Sequence, residues 1–128
     1  MDLRVDIAGE HAADELRSLR EWLVAEEPLR GRVRLAAGAP EKGTLGSGMD
    51  ALAVALGNGG AFTVFPTVAV TWLKRRTGRM AVKITRPDGS TVEISSDLVR
   101  PQNAEELRET AERLVRALAP SHGETQDG

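Results

Sequence analysis

Two histidines, His11 and His122, are the only imidazoles in this chain of 128 residues, which has neither cysteine nor tyrosine. The missing thiols rule out disulfides, thiol nucleophiles, zinc ribbons and iron–sulfur clusters. His11 stands at the start of a helical pattern, the position of a cap or surface residue, and His122 lies in a polar C-terminal tail. Carboxylates are the remaining source of acid–base chemistry. Glu26-Glu27 and Glu105-Glu106 are adjacent in sequence at helix ends, so their side chains diverge, whereas paired-carboxylate catalysis needs them convergent. No Ser–His–acid set has workable spacing. The residue types therefore predict no catalytic residue, no metal site and no cofactor.

Two features bear on anions. The Gly-rich loop 43–48 precedes a helix start near Gly48, with Ser47 and Asp50 in a variant of a capping box. Backbone N–H groups in such a place can hold a phosphate. No Lys-Ser/Thr follows the last glycine, so this is not a P-loop, and Gly57-Asn58-Gly59-Gly60 lacks dinucleotide-binding spacing. A turn needing positive φ is the ordinary reading; a small anion or phosphate module using loop 43–48 with Arg75 or Arg76 is the alternative. The cluster Lys74, Arg75, Arg76 and Arg79 suits a phosphate, a lipid headgroup or an acidic partner, and equally complements the negative end of a helix. With 17 basic and 19 acidic side chains and a net charge of −2, a nucleic-acid partner is not expected.

The most unusual feature is the stretch Ala51–Leu73, 23 residues without a charge. Its length meets the roughly 20 residues of a spanning helix, with a basic cluster after it. Gly57–Gly60 and Pro66 interrupt it, which predicts two short helices, 49–57 and 61–76, in place of one span. Three uses compete: a buried helical hairpin, a membrane-associating or oligomerising segment, and an apolar surface that buries itself on a protein partner. On the last reading the contact residues are Leu56, Phe62, Phe65, Val68, Trp72, Leu73, Lys74, Arg75 and Arg76, with the aromatic side chains as anchors.

The surrounding elements read as a single small α+β domain over 1–119, with about four strands and three to four helices, followed by a disordered tail at 120–128. Leu3, Val5 and Ile7 alternate with Asp2, Arg4 and Asp6, the pattern of a half-buried strand over 2–8. Residues 12–27 change to helical period, with Leu16, Leu19 and Leu23 in one stripe and Trp22 beside it. Residues 31–37 alternate again. A hairpin follows over 79–96, its strands joined by Arg86-Pro87-Asp88-Gly89-Ser90, and Lys83 and Glu93 face one another across it. Asn103 caps the last helix, with Glu106 at the third helical position and Pro120 after it. The N-terminus lacks the basic start and apolar run of a secretory signal, and with no cysteine the expected location is the cytoplasm.

These pieces together resemble a known family. The carrying motifs are the opening strand and Leu/Trp helix ending in LRGRVRL, then GTLGSGMDALAVALGNGGA, TWLKRR and the hairpin VKITRPDGSTVEI, across about residues 1–118. The most specific piece is Gly46–Ala61 followed by Trp72-Leu73-Lys74-Arg75-Arg76. The chain resembles the effector-associated constant component family of small actinobacterial proteins. That resemblance implies a role without a reaction: a non-catalytic, constant adaptor in bacterial conflict or immunity systems, encoded beside variable effectors such as caspase-like or trypsin-like peptidases. It supplies no catalytic motif to carry over.

Overall fold

The computed structural model describes residues 2–36, 51–57 and 60–119. Alternation over the first residues builds β1 (Asp2–Gly9). It is followed by α1 (Ala12–Val24), a 3-10 turn (Glu27–Leu29), β2 (Val33–Ala36), β3 (Ala51–Ala55) and α2 (Ala61–Arg75). The chain continues through β4 (Met80–Thr85), β5 (Thr91–Ser95), the one-turn α3 (Ser96–Val99) and α4 (Ala104–Leu118). The strands form one antiparallel sheet in the order β2-β3-β1-β4-β5. This is the α+β domain that the sequence predicts, with five strands among the described residues.

The sheet has an inner and an outer face, set by its register. Val5 lies opposite both Leu52 and Ile84, and Val82 opposite both Ile7 and Ile94. These side chains share the inner face and are buried against Leu16, Leu19 and Leu23 of α1, Phe65 and Trp72 of α2, and Leu114 and Leu118 of α4. Each buried Leu, Ile or Phe contributes on the order of 1.5–3 kcal/mol through loss of apolar surface to water.

The expected helix over 49–57 is where structure and sequence differ. Residues 51–55 are β3, and the part before them lies outside the described residues, as do the helix start near Gly48, loop 43–48 and the tail 120–128. β3 is flanked by β2 and β1, so both of its edges are hydrogen-bonded. Its inner face carries Leu52 and Val54, and its outer face Ala51, Ala53 and Ala55. A strand with no polar residue on either face loses the alternation that marks a strand, and a short apolar run fits a helix equally well.

α2 runs unbroken through Pro66, which the sequence marks as an interruption. The ring removes one intrahelical donor, that of residue 66. Hydroxyls add local bonds nearby: Thr63 Oγ1 donates to the Gly60 carbonyl at 3.1 Å and Thr67 Oγ1 to the Thr63 carbonyl at 3.2 Å. Burial of Pro66 among the apolar residues of α2 offsets the lost bond.

The hairpin and last helix form as their turn and cap residues dictate. Gly89 takes φ 93°, and Asp88 Oδ1 accepts from the Ser90 hydroxyl at 2.7 Å and the Ser90 N–H at 2.9 Å. Those two bonds, with a smaller contribution from Arg86, hold the Asp88 carboxyl below its ordinary pKa. Lys83 and Glu93 stand opposite in the β4–β5 register. At α4, Asn103 Oδ1 accepts from the Glu106 N–H and Glu106 Oε1 from the Asn103 N–H, both at 2.8 Å. Asn103→Ala is expected to cost about 1 kcal/mol and to lower the melting temperature by roughly 4 °C; thermal unfolding followed by circular dichroism measures it.

Candidate functional site

The side chains expected to meet a partner divide into three groups. Leu56, Phe65, Val68, Trp72 and Leu73 are 2%, 0%, 8%, 0% and 1% exposed. They belong to the intramolecular core, so none of them presents a surface in the folded chain. The physical reason is the position of α2, which packs against both α1 and α4 and so needs a wide apolar face. Phe62 is half-buried at the margin of the core.

The basic residues after this stretch are largely engaged within the fold. Lys74 Nζ donates to the carbonyls of Arg100 and Gln102, both at 2.7 Å. Arg100 Nη2 returns the contact, donating to the carbonyls of Gly78 at 2.6 Å and Arg76 at 2.9 Å. Two cations thus tie the end of α2 to the segment between α3 and α4. Arg76 Nε lies 2.7 Å from Glu15 Oε1, and its guanidinium sits 5.3 Å from the centre of the Trp72 ring. Ser18 Oγ accepts from Trp72 Nε1 at 3.0 Å and from Arg76 Nη1 at 3.4 Å. This polar cluster seals the α1–α2 seam above the buried indole. Arg79 is exposed, 3.6 Å from Asp97.

Arg75 is different. It is exposed, and its guanidinium lies 6.0 Å from the centre of the Trp22 ring on α1. Trp22 is half-buried. Thr63, Thr67, Thr71 and Arg75 recur every four residues, which lines them along one strip of α2; Thr63 and Thr67 are exposed and Thr71 half-buried. The outward face of α2 is therefore uncharged and hydroxyl-rich up to Arg75, whose guanidinium lies over the Trp22 ring. Trp22 was absent from the expected contact residues. Its signal is the heptad-like stripe Leu16, Leu19 and Leu23, from which Trp22 is offset by one position.

The other candidate chemistry is not assembled. His11 occupies the N-cap of α1 without a side-chain cap bond, and its carbonyl accepts from the Glu15 N–H at 2.9 Å. His122 and loop 43–48 lie outside the described residues. Glu106 is used in the cap of α4. Among the described residues, no three His, Asp or Glu side chains gather where they could hold a metal ion, and no helix is long and apolar enough to cross a membrane.

Neither a curated protein nor a solved structure matches the chain. One family does, over residues 8–115, an interval that runs from the end of β1 into the last turn of α4 and so includes every element described above except most of the first strand. By that match the chain belongs to the family Effector Associated Constant Component 1.

Proposed function

We propose that this protein is a non-catalytic adaptor of a bacterial conflict system, docking a protein effector such as a caspase-like or trypsin-like peptidase encoded beside it. Membership of a family named for its association with effectors carries the reading. The docking face we assign is the outward strip of α2 with its neighbour on α1: Trp22, Phe62, Thr67, Thr71 and Arg75. It replaces the buried side chains of the same stretch, which are committed to the core. Tryptophan and arginine dominate the energetics of protein interfaces. Here the guanidinium already lies over the ring, 6.0 Å from its centre, which places both groups side by side for a partner to cover.

Co-purification with the protein encoded by the adjacent gene tests this. The double variant Thr67→Glu/Arg75→Glu changes only exposed side chains; reversing the charge in the last turn of α2 is expected to cost about 1 kcal/mol, which leaves the chain folded. Its affinity for the effector is expected to fall at least about tenfold, equivalent to about 1.4 kcal/mol. Glu112→Arg, on the exposed side of α4, serves as the control and retains binding. A folded double variant that captures the effector as well as the wild type overturns the assignment of this face.

A further inference from the structure

A sheet that does not close leaves two strands bonded on one side only, and among the described residues these are β2 and β5. The ladder fixes which peptide groups of β2 are in use. The Ala55 N–H donates to the Arg32 carbonyl at 2.8 Å. From there the register runs Val33 opposite Val54, Arg34 opposite Ala53, Leu35 opposite Leu52 and Ala36 opposite Ala51. Bonded pairs alternate with unbonded ones in an antiparallel ladder, so Arg34 and Ala36 turn their peptide groups toward β3. The N–H and C=O groups of Val33 and Leu35 point the other way, to the side where no described strand meets them.

The side chains along this edge alternate in character. Arg32 and Arg34 lie on the outer face, beside Ala55 and Ala53. Both are exposed, and neither forms an ion pair with a described residue. Neither β2 nor β3 contains a carboxylate. On the inner face Val33 is buried, whereas Leu35 is 47% exposed, one of two large apolar side chains left exposed among the described residues, although its neighbour Leu52 is fully buried. From Arg32 to Leu35 the edge therefore presents a cation outward, an apolar side chain inward, then the same again. β5, the other edge, carries Glu93 opposite Lys83, so its charge is already matched. Two β2 edges do not suit each other. The antiparallel register that the groups of Val33 and Leu35 allow sets the two Arg34 side chains opposite one another, and like charges so placed are destabilising.

We propose that the open edge of β2 takes an extended segment of another protein as an added strand, one in which acidic side chains alternate with apolar ones. In antiparallel pairing Val33 and Leu35 each exchange a pair of backbone hydrogen bonds with the incoming strand. The residue between its two bonded positions then stands opposite Arg34 on the outer face, where a carboxylate meets the guanidinium. The next acidic residue along meets Arg32. The apolar residue opposite Leu35 covers its exposed surface and carries the buried inner face one strand further. Main-chain bonds supply the affinity and the alternation of side chains supplies the choice of partner. None of these residues belongs to the strip on α2.

The probe is a fluorescein-labelled peptide of alternating valine and glutamate, followed by fluorescence anisotropy as the full chain is raised to about 1 mM, a range that reaches weak complexes. Saturable binding is expected. The same peptide N-methylated at the positions that bond to β2, and a valine–lysine peptide, are each expected to bind at least about tenfold more weakly. Arg34→Glu is expected to reverse the preference between the glutamate and lysine peptides. Leu35→Pro removes an edge donor and no β2–β3 bond, the placement at which a strand accepts proline, and is expected to weaken binding at least about tenfold. Should that variant fail to unfold cooperatively, the N-methylated peptide tests the same bonds from the other side. Amide hydrogen exchange locates the added strand: the glutamate peptide is expected to slow Val33 and Leu35, and to leave unchanged Arg34, already bonded to β3, and Glu93 on the other edge. Absence of saturable binding overturns the proposal. Undiminished binding of the N-methylated peptide overturns it equally, since charge alone then holds the probe, as does protection at Glu93 in place of Val33 and Leu35. Thr67→Glu/Arg75→Glu is expected to bind the probe as the wild type does, so the edge of β2 and the strip on α2 can each fail alone.

Discussion

Replacing Phe65 and Trp72 together with serine unfolds this protein; it does not yield a folded chain that has lost its partner. Both side chains are fully buried, and both lie seven residues apart on α2, two turns along one face. Truncating a buried Phe or Trp costs about 3–5 kcal/mol through lost burial and the cavity left behind. Serine adds a hydroxyl with no arranged partner, which costs more. Their proximity makes the two effects imperfectly additive, yet the sum remains of the same size as the whole stability of a small domain, about 5–15 kcal/mol. Trp72 also holds polar contacts: its Nε1–H donates to Ser18 Oγ, and its ring lies under Arg76. Trp72→Phe keeps most of the packing and gives up those contacts, so a milder loss of about 1–3 kcal/mol is expected. Thermal unfolding by circular dichroism separates the outcomes: no cooperative transition for the double serine variant, a lowered but cooperative one for Trp72→Phe. A cooperative transition near the wild-type temperature in the double variant would mean that this core is misassigned. Lost effector binding by the double variant therefore reports on folding, and the exposed positions of α2 are the ones to vary in mapping a surface.

How much of this was legible depends on how many faces each element buries. β1, α1, the β4–β5 hairpin and α4 each bury one face, so Leu3, Val5 and Ile7, or Leu107, Ala111, Leu114 and Leu118, mark the period in the sequence. β3 pairs along both edges and carries only alanine outward, which erases the alternation and makes it continuous with α2 as one uncharged run. That run is neutral for two unrelated reasons: its first part is an interior strand and its second a helix packed on two sides. The two tryptophans show a further limit. Trp72 is sealed in the core and Trp22 stands at the margin, an outcome set by how each helix is rotated on the sheet. The role of the basic cluster was hidden for a different reason. A charge at a helix end announces its interaction with the dipole, whereas the carbonyls that accept from Lys74 lie 26 and 28 residues further along the chain.

Those carbonyls make Lys74→Met the second variant with a large expected effect. Methionine keeps the length and apolar stem of lysine and removes only the ammonium donor. Two bonds of 2.7 Å are lost, each from a charged donor and each worth about 1.5–3 kcal/mol when intact. Lys74 is half-buried, so water recovers part of the loss, and a net destabilisation of about 2–4 kcal/mol is expected, a fall of roughly 10 °C in melting temperature. The reciprocal bonds from Arg100 to Gly78 and Arg76 span the same seam. Lys74→Met and Arg100→Met are therefore expected to be less than additive, since whichever is lost first loosens the geometry of the other. The damage is also local. Gln102 immediately precedes Asn103, whose cap organises the first turn of α4, so hydrogen exchange in Lys74→Met is expected to accelerate at Glu106 and Leu107 before it does so in β1. Uniform acceleration across sheet and helix would show that the clasp contributes to global stability alone. A loss below about 0.5 kcal/mol, the range of ordinary surface substitutions, would return Lys74 to the surface as a free charge available to a partner.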